Sequence, residues 1–140
     1  CALPHEQRSR VHLAMLPMVD VDENAAIVNA LQRHSCIIVQ KSLQEGFGLT
    51  LTEAMWKRRA VIASRVGGLP EIVRDGDNGL LVDPASPDQL VAAIARLHDS
   101  PELRAAMGER GREFVSDFTP AKMAERYLRL YESACGRSLT

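Results

Sequence analysis

The sequence predicts an α/β fold, a mostly parallel sheet with flanking helices, formed as one domain over residues 1–140. Three observations predict it. Short apolar runs rich in β-branched residues alternate with helical patterns, as strands covered on both faces do. Two strand-to-helix turns carry paired glycines, Gly46 with Gly48 and Gly67 with Gly68. The last third changes period to helices, each opened by Ser-Pro or Thr-Pro.

Residues 1–9 read as polar and irregular. Val11-His12-Leu13-Ala14-Met15-Leu16 reads as a strand stopped by Pro17. Asp20-Val21-Asp22-Glu23-Asn24 leads into a helix with Ile27, Ala30, Leu31 and His34 on one face, and Asp20 or Asp22 suits its N-cap. The Asp20-x-Asp22 pair has a second reading, a metal and diphosphate holder. His34 suits the helix C-terminus, where cations are favoured. Ser35-Cys36-Ile37-Ile38-Val39-Gln40 is a buried strand, and a glycine-bearing loop and a helix to about Arg59 follow it. Leu51, Met55 and Trp56 form that helix's buried stripe.

Residues 60–63 form the next strand, Gly67-Gly68-Leu69-Pro70 a second strand-to-helix turn, and Asp75-Gly76-Asp77-Asn78-Gly79 a dense run of turn residues. Residues 80–82 are a short strand closed by Pro84. Three packing helices come next. Ser86-Pro87-Asp88-Gln89 opens one with Leu90, Ile94 and Leu97 on a face; Ser100-Pro101 opens another with Leu103, Met107 and Phe114. Thr119-Pro120 opens the third, with Met123, Tyr127, Leu130 and Tyr131, and Gly136 ends it. At helical spacing, Phe114, Phe118, Tyr127 and Tyr131 are expected in the core.

Composition narrows the function. With 46% hydrophobic and 25% charged residues and a net charge of −1, the chain offers nothing to nucleic acid or to an anionic membrane. Cys1, Cys36 and Cys135 have no metal-ligand spacing and are expected as free thiols in the cytoplasm. The first residues resemble neither a signal peptide nor a membrane span, and the missing initiator Met suggests a piece of something longer.

The stretch that carries chemistry runs from Ser42 to Trp56. A glycine pair between strand and helix lets the backbone approach a bound group, and the first free N–H groups of the helix suit a phosphate. Glu45 lies at the mouth of this loop and Glu53 follows eight positions later. A nearly helical segment between them would set them about 12 Å apart, close to the span of a nucleoside diphosphate sugar. The plainer reading is a strand-to-helix turn of any doubly wound sheet, with both carboxylates serving the helix dipole.

Glu45-Gly46-Phe47-Gly48-Leu49, Glu53-Ala54-Met55, Ala60-Val61-Ile62-Ala63, Gly67-Gly68, Gly76 and Gly79-Leu80-Leu81-Val82-Asp83-Pro84 resemble the C-terminal, Rossmann-like donor-binding domain of retaining GT-B glycosyltransferases. The likeness covers nearly all of residues 10–134. The segment from Asp20 to His34 and Val39-Gln40-Lys41-Ser42 are most similar to the subgroup that forms trehalose, in which the acid-rich segment follows a strand and needs no metal. The resemblance implies transfer of glucose from a nucleoside diphosphate glucose to glucose with retention, and no cofactor. Glu45 would lie beside the donor glucose as the catalytic carboxylate. The N–H groups of Gly46, Phe47, Gly48 and Leu49 would hold sugar and diphosphate, and Glu53 would accept the ribose hydroxyls. A retaining trehalose phosphorylase and a non-enzymatic nucleotide-binding module are the alternatives.

Two departures from the family stand out. Arg58-Arg59-Ala60 replaces a usual Gly near the helix end and a Pro before the strand. Two earlier strands, the Arg and Lys that neutralise the diphosphate, and the acceptor-binding domain are not in this sequence; Lys41 and Arg65 are nearby cations at other positions, Lys41 a candidate anion contact. In the order 3-2-1-4-5-6, residues 11–16 would be strand 3 without a neighbour. They are therefore expected to re-pair, to pair with a second copy by strand exchange, or to rest on further chain.

Overall fold

Residues 4–16 and 18–136 are described by the computed structural model, in which α1 is His5–Arg8, α2 Val21–His34, β1 Ile37–Gln40, α3 Leu49–Trp56 and β2 Ala60–Ser64. They continue as α4 Leu69–Ile72, β3 Leu80–Val82, α5 Pro87–His98, α6 Pro101–Val115, a 3-10 turn Ser116–Phe118 and α7 Pro120–Cys135. The chain divides into two units, residues 1–31 and 32–140.

The second unit holds the sheet. Its order is β1-β2-β3, wholly parallel, with Ile38 opposite Val61 and Ala63 opposite Leu81. Every residue of β2 and β3 is buried, because helices cover both faces. Side chains alternate across the sheet: Val61, Ala63 and Leu81 meet Leu51, Met55 and Leu69 on one side, while Ala60, Ile62, Leu80 and Val82 meet Ala93, Leu97 and Met107 on the other. The continuous apolar runs thus fill two cores at once. β1 is the half-open edge.

Local chemistry sets the helix starts. Ser86, Ser100 and Thr119 accept the N–H groups of Gln89, Leu103 and Lys122, each with Pro at the first helical position. Gly136 closes α7 in the left-handed region at φ +61°. In the first unit, Asp20 Oδ1 accepts the N–H groups of Asp22 at 2.9 Å and Glu23 at 3.0 Å, so Asp20 is the cap of α2.

Several expectations are corrected. Residues 5–8 form one helical turn, where irregular chain was expected. Residues 11–16 form no strand: Leu13 is 95% and Met15 99% exposed, and β propensity without a ladder partner or an apolar surface does not make a strand. The stop at Pro17 and the thiol of Cys1 lie outside the described residues. Cys36 is exposed, one residue before β1 begins, and Cys135 is exposed at the end of α7.

On α2, Ala30, Leu31 and His34 are exposed and the buried residue is Gln32. Along α3, Leu51, Ala54 and Met55 are buried, but Trp56 is 46% exposed beneath the Arg112 guanidinium, 3.3 Å from its ring centroid. α7 packs little of itself away: Tyr127, Leu128, Leu130 and Tyr131 are exposed. Its sequence is amphipathic, and among the described residues no surface covers its apolar stripe. Phe114 is half-buried and meets the exposed Phe118 edge-on.

Candidate functional site

Beyond the carboxyl ends of β1 and β2, the two glycine loops lie backbone on backbone. Gly68 N–H donates to Gly46 O at 3.2 Å. A Cβ on Gly67, whose φ is +51°, would stand 1.8 Å from Glu45 O, and one on Gly68 2.5 Å from Gly46 O. Neither position admits a side chain, and Gly67 also has a backbone that favours glycine. Gly48, at φ +76°, caps α3 without a side chain and would place a Cβ 2.4 Å from Leu69 Cδ2. The second glycine pair therefore buttresses the first. Chain pinned in this way holds its amides at fixed positions.

Those amides point to a binding function. Leu51 and Thr52 N–H groups return to Gly48 O, at 3.0 and 3.3 Å. Among the described residues, the N–H groups of Phe47, Gly48, Leu49 and Thr50 find no acceptor, at the positive end of the α3 dipole. Gly46 N–H differs: it donates to Glu45 Oε1 at 3.1 Å. Helix begins only at Leu49, so the segment from Glu45 to Glu53 is half loop and not nearly helical throughout.

The two carboxylates are each held by a glutamine. Glu45 is half-buried; its Oε2 accepts Gln40 Nε2 from the end of β1 and Ser42 Oγ at 3.4 Å. Glu53 is exposed on α3 and its Oε2 accepts Gln32 Nε2 at 3.5 Å. Gln32, 5% exposed, also donates to Thr50 O and accepts Lys57 Nζ at 2.6 Å. Neither glutamine is distinguishable in sequence from a surface residue, because only the fold brings the glutamates to them.

A cleft of about 470 Å³ opens beside α3 between Phe47, Leu49, Thr52, Glu53, Trp56 and Phe118. It gathers Glu53, Phe47 and Leu49 of the expected site; Lys41, Glu45, Gly46 and Gly48 are not in its lining. Lys41 Nζ is engaged by Pro84 O past the end of β3, and Arg65 pairs with Asp75 at 3.0 Å. Among the described residues no three His, Cys, Asp or Glu side chains are grouped to hold a metal. No helix there is long and apolar enough to cross a membrane.

Comparison with known proteins places this arrangement in a family. The model of glycosyl transferases group 1 matches residues 13–114. Trehalose synthase of Rubrobacter xylanophilus is 42% identical over 110 residues, covering 78% of this chain and 26% of that protein. The trehalose synthase of Pyrococcus horikoshii is 43% identical over 114 residues, covering 81% and 27%. Sucrose-phosphate synthase from Thermosynechococcus elongatus superposes with a TM-score of 0.69 at 32% identity, over 88% of this chain and 30% of that one. The chain thus spans about a quarter of the length of the curated relatives it matches. With a parallel α/β sheet, two interlocked glycine loops and this match over most of its length, the chain belongs to the group 1 glycosyl transferases.

Proposed function

We propose that the chain is the donor-binding part of a retaining glucosyltransferase that moves glucose from a nucleoside diphosphate glucose to free glucose, forming trehalose in the cytoplasm. One observation carries this reading: the N–H groups of Phe47 and Leu49, exposed residues whose amides have no acceptor among the described residues, stand in the loop between two carboxylates, each bonded to a glutamine. A departing diphosphate gathers negative charge, and fixed amides at a helix start stabilise that charge without reorganising. Glu53, at the cleft, accepts two neighbouring ribose hydroxyls, a task for an ionised carboxylate. Glu45 takes the hexose hydroxyls from the other end of the loop. The acceptor sugar is bound by a further domain of the whole protein, and the 140-residue chain alone holds donor without turnover. No metal enters the reaction.

Titration calorimetry with UDP, ADP and GDP, together with the amide resonances of residues 46–49, tests this. A nucleoside diphosphate is expected to move those resonances, and Glu53→Ala to weaken it by about 1.5–3 kcal/mol, the scale of a hydrogen bond to a charged group. Resonances moved by inorganic phosphate and by no nucleotide would make the protein a phosphorylase instead. Resonances moved by none of these ligands would remove the transferase reading.

A further inference from the structure

The opposite end of the sheet carries a second feature. Where β1 and β2 begin, a pocket of about 310 Å³ is lined by Arg58, Arg59 and Arg104, together with Cys36, Pro101 and Glu109. Two of the arginines are engaged. Arg58 Nε pairs with Glu109 at 2.9 Å, both exposed, and Arg104 donates to the carbonyls of Leu97 and His98 at the end of α5. Arg59 is not engaged: its Nε is enclosed and has no acceptor, and its guanidinium makes no ion pair among the described residues. A buried guanidinium N–H without a protein partner is rare, and a bound ion or water would satisfy it. Three arginines against one glutamate leave the pocket a net positive charge, and the planar guanidinium fork matches the oxygens of a phosphate.

Arg58 occupies a left-handed backbone position, φ +58°, and its exposed pair with Glu109 contributes little to stability.

We propose that the Arg58–Arg59–Arg104 pocket binds a phosphate group, either inorganic phosphate or the phosphate of a monoester, with Arg59 as its principal ligand. The site is separate from the donor loop. β2 runs five residues from Ala60 to Ser64, so about 15 Å of strand lies between the two edges.

The test is a titration of the 140-residue chain with inorganic phosphate, followed through the Nε–H resonance of Arg59, and repeated with glucose 6-phosphate. Saturable movement of that resonance is expected. Arg59→Gln should weaken binding at least tenfold, read through the amide resonances of Ala60 and Ala105. Glu109→Gln, which removes the competing carboxylate, should tighten it severalfold. Tighter binding of the ester assigns the site to a phosphomonoester, and equal binding to the free anion. A non-saturating titration, or the same affinity in Arg59→Gln, overturns the proposal. So does displacement by UDP, which would place the phosphate at the donor loop; loss of UDP binding with the Arg59 response intact would instead count against the donor site alone.

Discussion

Arg58 ends α3 in a Schellman arrangement: its N–H bonds to Met55 O at 2.9 Å, and Arg59 N–H to Ala54 O at 3.0 Å. That arrangement requires a left-handed residue, and a Cβ there meets the following carbonyl at about 1–2 kcal/mol. Glycine removes the clash but adds freedom to the unfolded chain, and it forfeits an exposed ion pair of about 0–1 kcal/mol. Arg58→Gly is therefore expected to stabilise by about 0.5 kcal/mol, a rise in melting temperature of about 1–2 °C by calorimetry. Gly108 answers Arg58 from α6, where a Cβ would stand 2.3 Å from Arg58 O. Gly108→Ala should destabilise by about 1–3 kcal/mol, because backbone must move. At this scale the sequence is legible where chemistry is local: Asp20, Ser86, Ser100 and Thr119 announce their caps. Gly67 is legible as a turn but not for its cause, since the atom that forbids its side chain, Glu45 O, comes from the preceding loop. Gln32 and Gln40 are illegible for the same reason: their partners are set by tertiary contacts.

Among the elements, the three strands of the sheet and the major helices were legible from apolar runs and capping signals, whereas residues 11–16 were not. A strand exists only by pairing, and sequence records the propensity without the partner. α7 makes the complementary point: a helix satisfies its own backbone, so it forms although its stripe of Tyr127, Leu130 and Tyr131 is uncovered. Its start is tied down electrostatically. Lys122 Nζ donates to Asp117 Oδ1 at 2.5 Å, and Arg126 lies 3.7 Å from Oδ2. The Lys122 hydrogen bond, then its charge, hold the Asp117 carboxyl below its ordinary 3.8; desolvation opposes them, and Arg126 adds the least. A carboxyl whose folded value is depressed contributes its stability above the unfolded value and loses it as pH falls through the folded one. The Cα shifts of residues 120–123 should thus lose helical character as pH drops from about 4 towards 2, and Asp117→Asn should show that weaker state at every pH, with no titration. A titration unchanged in Asp117→Asn would assign the effect to another group.

For the whole molecule, the sheet concentrates stability in residues 32–140. There both faces of β2 and β3 are buried, and the glycine loops, the cleft and the arginine pocket all stand on that framework. The described residues before α2 contribute little burial: Leu13, Met15 and Val19 are almost wholly exposed, Met18 is 75% exposed, and α1 is a single turn. Apolar side chains left in water give no stabilisation, and they promote association between copies. A chain lacking residues 1–19 keeps Asp20 as the cap of α2 and Gln32 with its bonds to Glu53 and Lys57. It is expected to melt within about 2 °C of the full chain, since a change under 1 kcal/mol moves a domain of this size no further. It should bind nucleoside diphosphate with unchanged affinity by calorimetry, and sediment with less self-association. A fall of more than about 5 °C would mean that the leading residues bury surface in solution, and the stability of the fold would then not reside in the sheet and its helices alone.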